Sequence, residues 1–121
     1  MFNQDFYAKE IFGETREDRI VDAQYFKDNI SDELDGATCY VKRAIEIKGM
    51  SPDWAKMFLE MSATELDHAT KLWKMFEQYY KIIVDNYKTV PDYIEKLHEE
   101  AAKEYAERSA KVKYMHEMYS K

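Results

Sequence analysis

The chain has 121 residues, and its formal net charge of −6 arises within the first 35 of them, which hold 10 acidic and 4 basic side chains. The length fits a single domain over residues 1–121, and one cysteine excludes an intramolecular disulfide and a cysteine-based zinc or iron site. Three glycines and two prolines are too few for the turns of a sheet-rich fold. We expect a mostly helical cytoplasmic protein with no membrane span, and no nucleic-acid partner because a basic stripe is missing.

The N-terminal half predicts a helical hairpin. Residues 1–16 have no clear period and are expected to form an irregular or short helical lead-in. Residues 17–48 predict a strong helix, because apolar side chains recur there at spacings of three and four. Gly49 is expected to end this helix, and Ser51 with Pro52 provides an N-cap and a first-turn proline for the next one. The short turn between them predicts an antiparallel arrangement.

The second helix is predicted over about residues 52–87, which completes a core hairpin over 17–87. Pro91 then separates it from a C-terminal helix over about 92–119. The second helix carries two apolar stripes, and one hairpin partner cannot cover both. The first contains Trp54, Phe58, Met61, Leu72, Met75, Tyr79 and Ile82, and the second contains Ala55, Leu59, Leu66, Ala69, Trp73, Phe76, Tyr80 and Ile83. We therefore expect at least a homodimer, in which two hairpins complete a four-helix bundle.

Polar residues interrupt these stripes at the middle of the hairpin. The first stripe alternates by four and three, and its continuation between Met61 and Leu72 falls on Glu65 and His68. Glu33 likewise lies on the apolar stripe of the first helix. Glu33 and Glu65 are each about 16 residues from the turn, so an antiparallel hairpin places them level. A buried carboxylate needs compensation, which a salt bridge from another helix or a metal ion could provide.

Glu33 with Glu65-x-x-His68 is half of the ligand set of a carboxylate-bridged dinuclear metal site in helical bundles. The i, i+3 spacing puts the carboxylate and the imidazole on one helical face, and two chains related by a two-fold axis would supply the complete set. A second Glu-x-x-His is formed by Glu95 and His98. It is expected at the surface, because Glu95 falls off the apolar stripe of the C-terminal helix; a secondary metal site is the minor alternative. His116 is also expected at the surface.

The sequence around these residues resembles the ferritin-like superfamily. The first helix contains DELDGATCY, in which Glu33 is followed seven residues later by Tyr40, and the second contains ELDH, residues 65–68. This order resembles the half-repeat of rubrerythrins and ferritins over about residues 20–85. A short chain with one clear half is most similar to the encapsulated ferritins, and rubrerythrins are second.

The resemblance implies an all-α, ferritin-like fold and a di-iron site with two iron ions at each dimer interface. It implies that Glu33, Glu65 and His68 are iron ligands and catalytic residues. It further implies that Tyr40 is a catalytic tyrosine near the metals, for which an ordinary core aromatic is the alternative.

Two further expectations come from the encapsulated ferritins. Asp32 and Asp35 match acidic residues of a secondary or uptake site for iron, and a solvated pair is the alternative. An encapsulin shell is an implied partner and would place the protein in a nanocompartment, although the chain end KYMHEMYSK has no recognisable docking tail. The acidic N-terminal segment is either a solvated face or a negative mouth to the site.

Together these features favour a ferroxidase that oxidises Fe²⁺ to Fe³⁺ at a site shared between two subunits, in iron storage or detoxification. A rubrerythrin-like peroxide scavenger is one alternative. A non-catalytic helical assembly protein, with a structural or vestigial carboxylate–histidine network, is an alternative of another class.

Overall fold

The computed structural model describes the backbone of residues 16–121 and the side chains of residues 22–121. Three helices account for most of this part: α1 (Arg16–Ile47), α2 (Pro52–Asn86) and α3 (Asp92–Ser120). No strand occurs within the described range, so the predicted all-α class is confirmed. Nearly all of the lead-in expected over 1–16 lies outside the described residues, as does much of the acidic segment.

A tight turn joins α1 to α2. The backbone N–H groups of Met50 and Ser51 donate to the Ile47 carbonyl at 3.0 and 2.8 Å, which provides partners at the C-terminal end of α1. Pro52 occupies the first turn of α2, as predicted, because its missing N–H is tolerated there. Ser51 has the N-cap position, but its side chain makes no capping hydrogen bond, so that part of the expectation is wrong.

The core lies between α1 and the other two helices. Helix α1 packs most extensively on α2 and also along α3, while α2 and α3 contact each other less. Phe26 of α1 stacks on Phe76 of α2 with ring centroids 5.4 Å apart. Burying a side chain of this size contributes about 1.5–3 kcal/mol. The large buried side chains that share this cluster are Ile30, Leu34, Tyr79, Ile83, Ile94 and Leu97.

A stack of aromatic rings joins α2 to α3. Trp73 and Tyr80 of α2 enclose the His98 ring of α3, with centroid distances of 5.3 and 3.9 Å. Tyr105 extends the stack on the other side of Trp73 at 5.7 Å. The expectation of a surface His98 is therefore wrong: the ring fills the slot between two aromatic side chains that lie two turns apart on α2.

A polar bridge connects all three helices near the other end of the bundle. Ser62 is fully buried, and its hydroxyl donates to the Ala37 carbonyl at 2.6 Å. His116 Nε2 lies 2.9 Å from the same oxygen. Because the single hydroxyl hydrogen goes to the carbonyl, the His116 ring must donate to Ser62. His116 is thus partly buried, and the prediction of a surface position was wrong for it as well.

The two apolar stripes of α2 have different environments. Much of the second stripe is buried inside the chain, whereas four large apolar residues on α2, besides Val84 near its C-terminal end, remain 43–66% exposed. We call these four the open face; they are Trp54, Met57, Met61 and Met75. Helix α3 contacts α2 through other residues, among them Ser62, Thr70 and Trp73, and leaves these four exposed. None of the described helices has a segment long and hydrophobic enough to span a bilayer.

Candidate metal centre

Three metal-ligating side chains meet in the middle of the α1–α2 hairpin. Glu33 extends from α1, and Glu65 and His68 extend from successive turns of α2. Each offers one ligand atom, and the three atoms lie within 4.8 Å of one another. Antiparallel packing produces this convergence, because residues equidistant from the turn lie at the same height along the hairpin. The structure thus brings together the three ligands predicted from the sequence.

The carboxylate of Glu33 has an incompletely satisfied oxygen. Its Oε2 is buried and makes no hydrogen bond within the described part of the chain. The closest cationic candidate is His68 Nδ1 at 3.5 Å, which is long for a hydrogen bond. Buried polar atoms without partners are rare and costly. A bound cation would remove this cost, so the geometry fits a metal ion.

The chemistry of the donors also fits iron. Two carboxylates and one imidazole form a set that suits first-row metals such as iron, and hard carboxylate oxygens favour Fe³⁺ after oxidation. The side chain of His68 is 50% exposed and that of Glu33 is 26% exposed, so the trio opens outward. The ligands of one chain would leave coordination positions free for ligands from elsewhere.

Tyr40 lies beside the trio. It lines a cleft of about 390 Å³ together with Glu65, Met57 and Met61. Its ring stacks on Phe58 with centroids 6.1 Å apart, which is the packing contact expected of an ordinary core aromatic. The structure therefore places Tyr40 next to a predicted ligand, and a catalytic role for its hydroxyl stays a prediction.

Asp32 and Asp35 do not join the three ligands. Both are exposed, and Asp35 forms an ion pair with Arg108 of α3. Arg108 also donates to Glu104 at 2.7 Å, and these hydrogen bonds outweigh the effect of burial and raise its pKa. The uptake role of the two aspartates stays a prediction, with Asp35 held in a contact between helices.

Sequence reasoning missed two residues close to this region. Arg108 lies on a helix whose position relative to α1 no periodicity could specify. Gly36 lies one turn after Glu33, and its missing side chain leaves space for Glu65. A glycine in the interior of a predicted helix, one turn from a predicted ligand, was the available signal.

The fold and the candidate ligands define a class: a ferritin-like helical bundle in which one chain carries half of the ligand set of a dinuclear carboxylate site. A family model described as Rubrerythrin matches residues 25–121, and the chain therefore belongs to the rubrerythrin family. This match includes α3, which the sequence-based resemblance over residues 20–85 did not. It identifies a di-iron, ferritin-like protein of an iron-binding, oxidoreductase-type family. No curated protein and no solved structure matches the chain significantly.

Proposed function

We propose that this protein is a ferroxidase whose di-iron site is shared between two copies of the chain. The observation that carries the proposal is the buried Glu33 Oε2, which makes no hydrogen bond within the described residues and lies 3.5 Å from His68 Nδ1, with Glu65 in the same 4.8 Å group. A carboxylate in this situation is poised to receive a cation. Membership of the rubrerythrin family supports iron as that cation.

A second copy would complete the site. One chain supplies two carboxylates and one imidazole, and dinuclear bundle sites use four carboxylates and two imidazoles. The open face is on the same helix as Glu65 and His68, and its Met57 and Met61 line a cleft together with Glu65. Pairing two open faces about a two-fold axis would bury these side chains and bring the two half-sites together. We therefore propose the homodimer as the functional unit.

The proposed reaction oxidises two Fe²⁺ substrate ions to two Fe³⁺. The two electrons pass to dioxygen, which takes up two protons and leaves as hydrogen peroxide. Glu33 and Glu65 stabilise the higher charge of the product ions with their carboxylates, and His68 orients the ions within the cleft. Tyr40 lines the same cleft as Glu65, and we propose that its phenolic hydroxyl group lies near the reacting iron ions.

Anaerobic Fe²⁺ titration followed by exposure to air tests the proposal. The wild type should form ferric absorbance faster than buffer alone, and Glu65→Ala and His68→Ala should each abolish the difference. The chain offers a matched control in Glu95→Ala, which alters the exposed carboxylate of the second Glu-x-x-His motif away from the site and should retain full activity. Equal rates for wild type and buffer, or unchanged rates for the two ligand variants, would refute the proposal.

The assembly-protein alternative makes a different prediction for the same residues. If Glu33 and His68 form only a structural ion pair, the purified dimer should contain no transition metal, and chelation should leave its melting temperature unchanged. If they bind iron, elemental analysis should approach two iron ions per dimer, and removal of the metal should lower the melting temperature.

Family membership gives a specific reason to test peroxide as the oxidant. A rubrerythrin-like scavenger would take two electrons from two Fe²⁺ ions and reduce hydrogen peroxide, with two protons, to two water molecules. Stopped-flow mixing of the Fe²⁺-loaded protein with either oxidant separates the two reactions. A much faster oxidation with hydrogen peroxide than with dioxygen would identify the protein as a peroxide scavenger. A faster oxidation with dioxygen would support the ferroxidase.

Mineral storage would need a larger assembly. The two clefts at the open face have volumes of about 190 and 390 Å³, which are sufficient for ions but not for a mineral core. An encapsulin shell in the cytoplasm remains the proposed setting for storage. Co-purification of the chain with a co-expressed shell protein would test it, and detoxification by the free dimer is the outcome expected if no association occurs.

A further inference from the structure

The Glu65 side chain passes directly over Gly36. A Cβ atom built at position 36 would lie 3.2 Å from Glu65 Cδ and 3.4 Å from both Cγ and Oε2. All three atoms belong to the carboxylate arm of one predicted ligand. Few real Cβ atoms approach a neighbour this closely, so any other residue at position 36 would force the arm to move by a few tenths of an ångström.

The helix itself does not require a glycine here. Gly36 lies in the interior of α1 with a helical backbone, and glycine is among the least favourable residues at such positions. The same chain has a contrasting glycine at position 49, in the turn, where a Cβ would meet nothing within 4 Å. The close approach of Glu65 is therefore the feature that distinguishes position 36.

We propose that Gly36 is a positioning residue for the Glu65 carboxylate. Without a side chain at this position, the arm of Glu65 can lie flat across α1 and bring its oxygen within reach of Glu33 and His68. Helix α1 thus contributes the ligand Glu33. One turn later, at Gly36, it also leaves the space that the side chain of Glu65 occupies. This inference rests on the proposed function, because it assigns Gly36 a role in the geometry of the same site.

The effect of a substitution should differ between the metal-free and the metal-bound protein. Without metal, the partly exposed Glu65 can swing aside, and alanine favours the helix, so Gly36→Ala should melt at the same or a higher temperature. With metal, the carboxylate must keep its position, so the variant should bind more weakly. Changes to groups that orient metal ligands commonly lower affinity by about 10–100-fold.

The experiment compares Gly36→Ala with Gly49→Ala in the full chain. Anaerobic Co²⁺ titration, followed by the visible absorption of the bound ion, gives the affinity and the geometry of the site without any turnover. We expect at least about a tenfold weaker affinity and altered absorption bands for Gly36→Ala, and wild-type behaviour for Gly49→Ala. Gly36→Ser should show the same loss, because its Cβ has the same position.

The outcomes separate this inference from the proposed function. If the wild type binds Co²⁺ and Gly36→Ala binds it equally well with the same spectrum, the positioning role is refuted and the metal site stands. If the metal-free Gly36→Ala variant melts well below wild type, Gly36 serves packing instead, and the inference is also refuted. If the wild type binds neither Co²⁺ nor Fe²⁺, the proposed function and the positioning role of Gly36 are both refuted.

Discussion

Glu33 Oε2 and His68 Nδ1 face each other at 3.5 Å across the interface of two antiparallel helices. Their contact interrupts an apolar interface at mid-height, where Leu34 next to Glu33 is fully buried. An isolated carboxylate would be unfavourable there, so the imidazole and any bound cation determine whether the site is stable. A cation bound at this position would therefore also stabilise the hairpin.

The buried hydroxyl of Ser62 should contribute to stability. Ser62→Ala would leave the Ala37 carbonyl and the His116 ring without their partner, which should lower the free energy of unfolding by about 1–3 kcal/mol. Urea unfolding of the metal-free protein measures this change. Thr64→Ala is the matched control, because the Thr64 hydroxyl is exposed and donates to the Glu60 carbonyl of its own helix. Equal losses for the two variants would contradict the proposed polar bridge.

The helices themselves were predictable from the sequence. The predicted ranges 17–48, 52–87 and 92–119 each differ by only one residue from the ends of α1, α2 and α3. Glycine and proline mark the breaks between these helices, and the apolar side chains recur at regular spacings of three and four over long stretches. The three predicted ligands, which the structure places together, stood out for the same reason, because polar residues at positions of an apolar stripe are conspicuous.

The placement of α3 could not be predicted in this way. The motif of Glu95 and His98 was assigned to the surface because Glu95 falls off the apolar stripe of this helix, and His116 was assigned there as well. In the structure, His98 enters a slot between rings of α2, and His116 reaches Ser62, which was not recognised as buried. Such contacts depend on the rotation and height of α3 relative to the hairpin, and one helix's periodicity does not specify these.

Arg108 should stabilise the docking of α3 on α1. It pairs with Asp35 of α1 and Glu104 of α3, and Ser31 donates to the same Glu104 at 2.8 Å. Arg108→Leu should lower the free energy of unfolding by about 1–2 kcal/mol, because hydrogen bonds to charged groups are lost. The control Arg43→Leu removes an exposed i, i+3 pair and should change it by less than about 0.5 kcal/mol. Urea unfolding at low and at high salt measures the free energy of unfolding of both variants. Equal losses in Arg108→Leu and Arg43→Leu would show that Arg108 is dispensable for the docking of α3.

The two histidines of α3 should make stability depend on pH. Burial lowers the pKa of His98 below its ordinary value of 6.5, although Glu77 and Glu99 oppose the shift, and burial alone lowers the pKa of His116. A lowered pKa in the folded state means that the unfolded chain binds more protons. The stability that the two neutral histidines contribute is therefore fully present above pH 6.5, the ordinary histidine pKa. It is lost as the pH falls through their lowered pKa values in the folded state.

Unfolding of the metal-free protein between about pH 5.5 and 7.5, where ordinary carboxylates stay ionised, measures this dependence. The free energy of unfolding of the wild type should fall towards the acid end. His98→Phe keeps a ring between Trp73 and Tyr80 but cannot be protonated, so its slope should be shallower. An unchanged slope in this variant would show that His98 does not contribute to the acid sensitivity.

The open face should determine both association and activity. Met57 on α2 and Tyr114 on α3 are each 61% exposed, but Met57 lines both clefts of the open face, one of which includes Glu65. Met57→Lys would place a charge in the proposed interface, so it should shift the mass in solution from dimer to monomer. Iron oxidation should fall in parallel, because each monomer holds only half of the ligands, while Tyr114→Lys should retain both dimer and activity. A monomeric Met57→Lys variant with full ferroxidase activity would show that one chain suffices and that the shared site is wrong.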